Sequence, residues 1–249
     1  PTGSGKTTTL YSLMNLLNRP DVNIVTIEDP IEYDMKYVNQ TQVNPAQGIT
    51  FASGLREIVR QDPNIVMVGE IRDGETADIA VQAALTGHLV LSTLHTNDAP
   101  SAIPRLFDLK VLPFLAAAVL NVILAQRLVR KICLSCITSY KPDAESSAFL
   151  EAQVKALGLG EGVTVPKLMF KGAGCPTCND TGYKGRIGIF EMLDATEAVR
   201  RIIASPHFNL DELYAETKKA GMLTLFQDGL RKVERGMTTV EEVLRVIRE

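Results

Sequence analysis

The chain has 249 residues, 45% of them hydrophobic and 22% charged, an ordinary globular composition with length for one large domain or two modest ones. A formal charge of −3, no tryptophan and 6% aromatic residues argue against a surface that coats nucleic acid or stacks bases. The most apolar stretch, residues 111–125, contains Pro113 and Asn121 and falls short of the roughly 20 apolar residues that a bilayer span needs, so a buried helix is expected there.

The opening, Pro-Thr-Gly-Ser-Gly-Lys-Thr at residues 1–7, fits the phosphate-loop pattern G-x-x-x-x-G-K-[ST] from its second position. The first glycine of the pattern is expected one residue before Pro1, so the sequence reads as cut inside its own loop. Gly3 and Gly5 permit a backbone that turns successive N–H groups toward phosphate oxygens. Lys6 would reach the β- and γ-phosphates and the Thr7 hydroxyl would ligate Mg²⁺. Thr2, Gly3, Ser4, Gly5, Lys6, Thr7 and Thr8 are therefore the candidate nucleotide-binding residues. Residues 8–17 read as the helix whose positive N-terminus faces the anion.

Strand and helix signals then alternate. Residues 22–27 are a short β-branched run that leads into three acids, Glu28, Asp29 and Glu32. Residues 50–61 have helical spacing, with Phe51, Leu55, Ile58 and Val59 on one face. Residues 65–68 form an unbroken apolar run, suited to a strand buried on both faces, and are closed by Gly69 and Glu70. An alanine-rich helix is expected over 76–85 and another buried strand over 89–93, flanked by His88 and His95. Such alternation predicts a parallel sheet with helices on both sides, whose ligands bind beyond the carboxyl ends of the strands. Glu70 is the candidate acid for Mg²⁺ or attacking water, and His95 the candidate γ-phosphate contact. His88 is a weaker candidate and His207 reads as structural. Arg60 and Arg72 are near enough in sequence to offset phosphate charge.

After Pro100 the pattern turns helical. Arg127, Arg130 and Lys131 read as a solvated face or a subunit contact. Cys133, Cys136, Cys175 and Cys178 form two C-x-x-C pairs, whose thiolates would hold a tetrahedral, structural Zn²⁺. Residues 139–166 read as a variable insertion between the pairs. Amphipathic helices are expected from residue 189 onward, the last opened by a capping box at Thr239 and Glu242. The expected division is a nucleotide-binding core over 1–130, a tetracysteine element over 131–188 and a helical part over 189–249.

In this order, the phosphate loop, the acidic segment at 28–32, the strand at 65–70 and the histidine segment at 87–95 closely resemble the secretion ATPases of type II secretion and type IV pilus assembly. Residues 55–63, 68–73 and 125–130 look like that family almost word for word. The resemblance implies a RecA-like α/β core and Mg²⁺-dependent ATP hydrolysis, with Glu28 and Glu70 sharing metal and water duty. It also implies a homohexameric ring at the cytoplasmic face of the inner membrane, bound through a platform protein and a cytoplasmic adaptor, with no direct nucleic-acid contact. Further arginines would come from a preceding domain. The tetracysteine element is typical of the assembly and secretion motors rather than the retraction motors. A motor for pilus retraction, DNA uptake or conjugation, and a zinc-stapled binding module with a vestigial loop, remain the alternatives.

Overall fold

The computed structural model describes residues 3–144, 147–148, 151–152 and 168–248. Pro1, Thr2 and most of the expected insertion at 139–166 lie outside them. The chain forms two compact units, one from residues 6–123 and 193–220, the other from residues 1–5, 124–192 and 221–249. These units interleave along the chain, whereas the sequence suggests consecutive spans that break at 130 and 188.

The first unit is an α/β sandwich. Helix α1 (Lys6–Leu17) precedes strands β1 (Ile24–Glu28) and β2 (Val38–Gln42). Helix α2 (Phe51–Val59), β3 (Ile65–Val68), α3 (Gly74–Leu85) and β4 (Leu89–Ser92) follow. The four strands pair in parallel in the order β2-β1-β3-β4. β1 and β3 are buried throughout, as their unbroken apolar runs require. β4 was expected to be buried as well; it is instead an outer strand of the described sheet and is only partly covered, with Leu89 40% exposed.

Strand alternation sends neighbouring side chains to opposite faces. Leu10, Tyr11 and Met14 of α1 pack on Ile24, Ile65 and Met67. Ile27, three positions after Ile24 and so on the opposite face, packs toward α2, where a Cβ on Gly54 would come within 2.1 Å of its Cδ1. Thr26 and Glu28 therefore share Ile24's face and look toward α1.

The unit continues with α4 (Ala102–Asp108) and α5 (Pro113–Val119), and returns with α6 (Glu197–Ala204) and α7 (Leu210–Lys219). α6 packs on α5, and Arg200 donates to Asn121 Oδ1 at 2.9 Å. The long helix expected over 111–125 is corrected here: α5 ends when Leu120 turns extended, and the chain enters strand β5 (Val122–Ile132). Likewise the helices begin at Glu197 rather than at 189, because β8 (Tyr183–Asp194) runs through that point.

The second unit contains the β5–β8 pair and an antiparallel pair, β6 (Ile137–Tyr140) with β7 (Met169–Gly172). Val129, Met169 and Ile189 from the strands pack with residues of α8 (Leu225–Glu234) and α9 (Val240–Arg248) in one apolar cluster. Of the basic trio, Arg127 is buried at 6% exposure, whereas Arg130 is exposed and paired with Glu242 and Lys131 is half-buried, so the solvated-face reading fails for Arg127. Thr239 caps α9 through the Glu242 amide at 3.4 Å, while the Glu242 side chain turns to Arg130 and Arg245 instead of closing the box.

Candidate functional site

Each carboxyl end of the parallel strands carries chemistry. Gly69 donates to the carbonyl of Ile27 at 2.8 Å and Ile71 to that of Thr93 at 3.1 Å, so the parallel pairing continues past β3 on both sides. The Thr93 hydroxyl donates to the Gly69 carbonyl at 2.8 Å. This lacing brings His95 Nε2 to 3.0 Å from Glu70 Oε2, while Arg72 is ion-paired with Oε1 of the same carboxylate. The Glu70 side chain is 12% exposed, His95 48% and Arg72 61%, so a mostly covered acid is flanked by an accessible imidazole and an accessible guanidinium. Burial works to raise the Glu70 pKa, but the hydrogen bonds and charge of Arg72, then those of His95, hold it below the usual carboxylate value. Asp73, next along, caps α3 by accepting from the Thr76 amide at 2.8 Å.

Glu28 has a different setting. It is 3% exposed, and both oxygens are taken. The Tyr11 hydroxyl donates to Oε2; Thr26 Oγ1 donates to Oε1 at 2.6 Å and Gln40 Nε2 donates to it at 3.1 Å. Of the other two acids in the segment, Asp29 and Glu32 are exposed. Sequence reasoning missed Tyr11 and Gln40. Tyr11 reads locally as one more apolar position on a helix face, and only its burial against an acid seventeen residues away reveals its polar end. Gln40 and Gln42, alternating on a polar strand, were the available signal: Gln42 Oε1 accepts from the Ile31 amide at 3.3 Å.

Lys6 and Thr7 open α1, preceded by Gly3 at φ 76° and Gly5 at φ 87°, a left-handed region that favours glycine. Space around Gly3 is open, and the Ser4 hydroxyl is buried without a hydrogen-bond partner. An orphaned donor on a loop turned by two left-handed glycines fits a phosphate. Just past the end of α1, Asn18 Nδ2 donates to the Lys36 carbonyl near the start of β2 at 2.7 Å, while Tyr11 sits beside Glu28 at the carboxyl end of β1, so Lys6, roughly 7 Å earlier on the helix axis, lies toward the strand ends. His88 Nδ1 lies 2.9 Å from the Ala83 carbonyl and 3.0 Å from Thr86 Oγ1, a turn contact at the end of α3. Arg60 pairs at the surface with Glu57, and His207 Nα bonds to Ser205 Oγ at 3.2 Å.

In the second unit the four cysteines converge, their sulfurs all within 4.8 Å of one another. The pairs 133–175 and 136–178 are 3.9 Å apart and 175–178 is 3.7 Å. Four thiolates about 2.3 Å from a tetrahedral ion stand about 3.8 Å from each other, the spacing that these three pairs already have, so the set fits Zn²⁺. Backbone pairing holds the knuckles: Cys133 donates to the Gly182 carbonyl, and Ala173 to that of Cys136, each at 2.9 Å. Burial pushes the Cys178 thiol up, but amides of Cys175 and Gly182, each 3.3 Å from its sulfur, bring it down to about 7.

A parallel sheet whose strand ends carry acid and histidine, with a glycine-rich loop feeding a helix packed on that sheet, defines the class of P-loop nucleoside-triphosphatase folds. The chain belongs to the type II/IV secretion system protein family, whose profile matches residues 1–245. It is 48% identical over 250 residues to the type II secretion system ATPase E of Vibrio cholerae, covering 100% of this chain and 47% of the relative. It is 50% identical over 247 residues to the type IV pilus assembly ATPase TfpB of Acinetobacter baylyi, covering 99% and 41%. With the type IV pilus assembly ATPase PilB of Thermus thermophilus it shares 49% over 244 residues, covering 98% and 26%. The chain thus spans half or less of these relatives' lengths. Among solved structures, the pilus retraction motor PilT with bound ADP superposes with a TM-score of 0.70 at 30% identity, covering 99% of this chain and 59% of that one.

Proposed function

We propose that this chain is the ATP-hydrolysing part of a motor for type II secretion or type IV pilus assembly. The observation that carries the reading is the Glu70–His95–Arg72 cluster at the carboxyl ends of β3 and β4, in the unit that Lys6 and Thr7 open. Lys6 would draw the β- and γ-phosphates, with Thr7 and Thr8 in the first turn of α1 and, by the sequence pattern, Thr2, Gly3, Ser4 and Gly5 as the residues whose amides would bind their oxygens. Thr7 and Glu70 are the residues that would hold Mg²⁺, which when bound offsets the phosphate charge. Glu70, with its pKa held down, suits orienting water or metal better than accepting a proton. His95 would contact the γ-phosphate through its accessible ring. Glu28, fully hydrogen-bonded and buried, is better suited to hold the acidic segment than to react, which leaves the exposed Asp29 and Glu32 to face the attacking water. Catalysis on this reading is positioning and electrostatics without a covalent intermediate.

Cys133, Cys136, Cys175 and Cys178 would hold a closed, structural Zn²⁺. The whole protein would work as a homohexamer on the cytoplasmic face of the inner membrane, engaging a platform protein and a cytoplasmic adaptor. No helix of the described residues is long and apolar enough to cross a membrane, which accords with attachment through partners. The likeness to PilT favours retraction as the second reading, but identities of 48–50% with secretion and assembly ATPases, against 30%, favour extrusion.

The test is ATP turnover by the full-length protein. Lys6→Ala should lower kcat/KM by about a hundredfold or more, the scale on which one preorganised charge contact acts. Turnover equal to wild type in that variant refutes the assignment.

A further inference from the structure

Tyr11 is fully buried, yet its hydroxyl is at the centre of a polar junction. It donates to Glu28 Oε2 and accepts from the Glu32 amide at 3.2 Å. Its ring meets Tyr33 edge-on, centroids 4.4 Å apart at 83°. One side chain of α1 thus grips the acidic segment at its first acid, at its last acid's backbone and at the residue after it. The opposite side of the segment is held from β2: Gln40 Nε2 donates to Glu28 and, at 3.3 Å, to the Tyr33 carbonyl. Gln42 takes the Ile31 amide. A phenylalanine would fill the same apolar space against Ile24 and Met67, so packing alone does not account for a hydroxyl here.

The helix that offers Tyr11 to this junction is the one whose first turn carries Lys6 and Thr7. We propose that Tyr11 is a positioning residue that fixes the acidic segment, and with it the exposed carboxyl group of Glu32, relative to the phosphate-binding end of α1. This rests on the reading of the site as an ATPase. The phenol's loss of its proton is opposed by burial and by the neighbouring Glu28, which push its pKa up to about 12, so it stays a donor across the working pH range. Tyr11 acts through geometry: the acids that face water and the lysine that faces phosphate are carried on different elements, and the phenol is the shared peg between them. Misplacement of a reacting group by about 1 Å costs on the order of a hundredfold in rate while leaving ground-state binding largely intact.

The experiment compares full-length wild type with Tyr11→Phe. In the variant, kcat should fall about tenfold or more while KM for ATP and the affinity for a non-hydrolysable ATP analogue stay within about twofold, since Lys6 and Thr7 are untouched. Hydrogen exchange supplies a readout independent of turnover: peptides holding the Glu32 amide should lose protection, whereas those from the rest of α1 should keep it. Wild-type kcat in Tyr11→Phe overturns the proposal. So does a parallel fall in kcat, analogue affinity and α1 protection, which marks a packing role alone. Should Tyr11→Phe fail to fold, Gln40→Leu removes the opposing donor from an outer strand, and the same kcat-selective loss is expected; wild-type kinetics there overturn the proposal. Failure of the ATPase reading itself shows separately, as no Lys6-dependent turnover in the unmutated protein.

Discussion

Three of the four glutamates buried among the described residues have contrasting sets of partners, and the partners decide what each can do. Glu28 takes neutral donors, Glu70 takes an arginine and a histidine, and Glu242 takes two arginines. The Glu242 side chain, 2% exposed, accepts from Arg130 Nη2 at 2.6 Å, from the Arg130 amide at 3.0 Å and from Arg245 Nη2 at 3.0 Å. Burial alone would raise its pKa; the hydrogen bonds from Arg245 and then Arg130 reverse that and bring it to about 2. The folded-state value is thus depressed below the unfolded value of 4.5, so the stabilisation is fully present above that value and is lost as pH falls from 4.5 toward 2. Its size is about 3 kcal/mol at neutral pH. Glu242→Gln should therefore be less stable than wild type by about that amount at pH 7 in a denaturant titration, with the gap narrowing steadily below pH 5. A gap that stays constant down to pH 2.5 means that the ion pairs contribute nothing.

Among the elements, the two knuckles depend on a close backbone approach at Gly172 and Gly182. A Cβ on Gly172 would lie 2.1 Å from the Gly182 carbonyl oxygen, and one on Gly182 would lie 2.7 Å from that of Gly172. Both obstacles are main chain, so neither yields by a rotamer change. Gly172→Ala should lower zinc retention and the melting temperature together, by a destabilisation of about 2 kcal/mol; a variant with wild-type zinc content and melting would show that the approach is slack. This facing pair was not legible in the sequence, whereas the cysteine spacing beside it was. The same contrast runs through the fold. β3 falls at residues 65–68 as expected, because an unbroken apolar run closed by glycine admits few other structures. Glu70 and His95 were singled out by their place at strand ends, and His95 Nε2 lies 3.0 Å from the Glu70 carboxylate. β5 was missed because its strand character comes from β8, some sixty residues away, while its own Ala-rich approach reads as helix. Gln126 and Arg127, buried on that strand, have no periodic signal at all. Tyr11 was missed for the same reason: its partner is not local.

For the molecule as a whole, the two units stand on different foundations, and metal removal should separate them. The unit with the parallel sheet rests on β1 and β3, buried on both faces between α1 and α2, and contains none of the cysteines. The other unit, among its described residues, has only two-stranded sheets, which are marginal in water without further support. Its support is the apolar cluster with α8 and α9 and, on the reading above, the ion at four sulfurs. An ion held by four thiolates contributes its binding free energy directly to folding. Main-chain bonds carry that contribution onward: Cys133 donates to Gly182, Ile132 donates to the Met237 carbonyl at 3.0 Å, and the Thr238 hydroxyl donates to the Arg130 carbonyl at 2.8 Å. The protein should release about one Zn²⁺ per chain on thiol modification, and Cys133→Ser should retain little of it. After chelation, hydrogen exchange should rise in peptides from residues 124–144, 168–192 and 221–248, while peptides spanning 24–28 and 65–68 keep their protection. Uniform loss across both units would mean that they unfold as one, and no loss in either would remove the ion from the fold's support. A selective loss instead identifies the thiolate centre as the staple of one unit and leaves the Glu70–His95 cluster standing on the sheet alone.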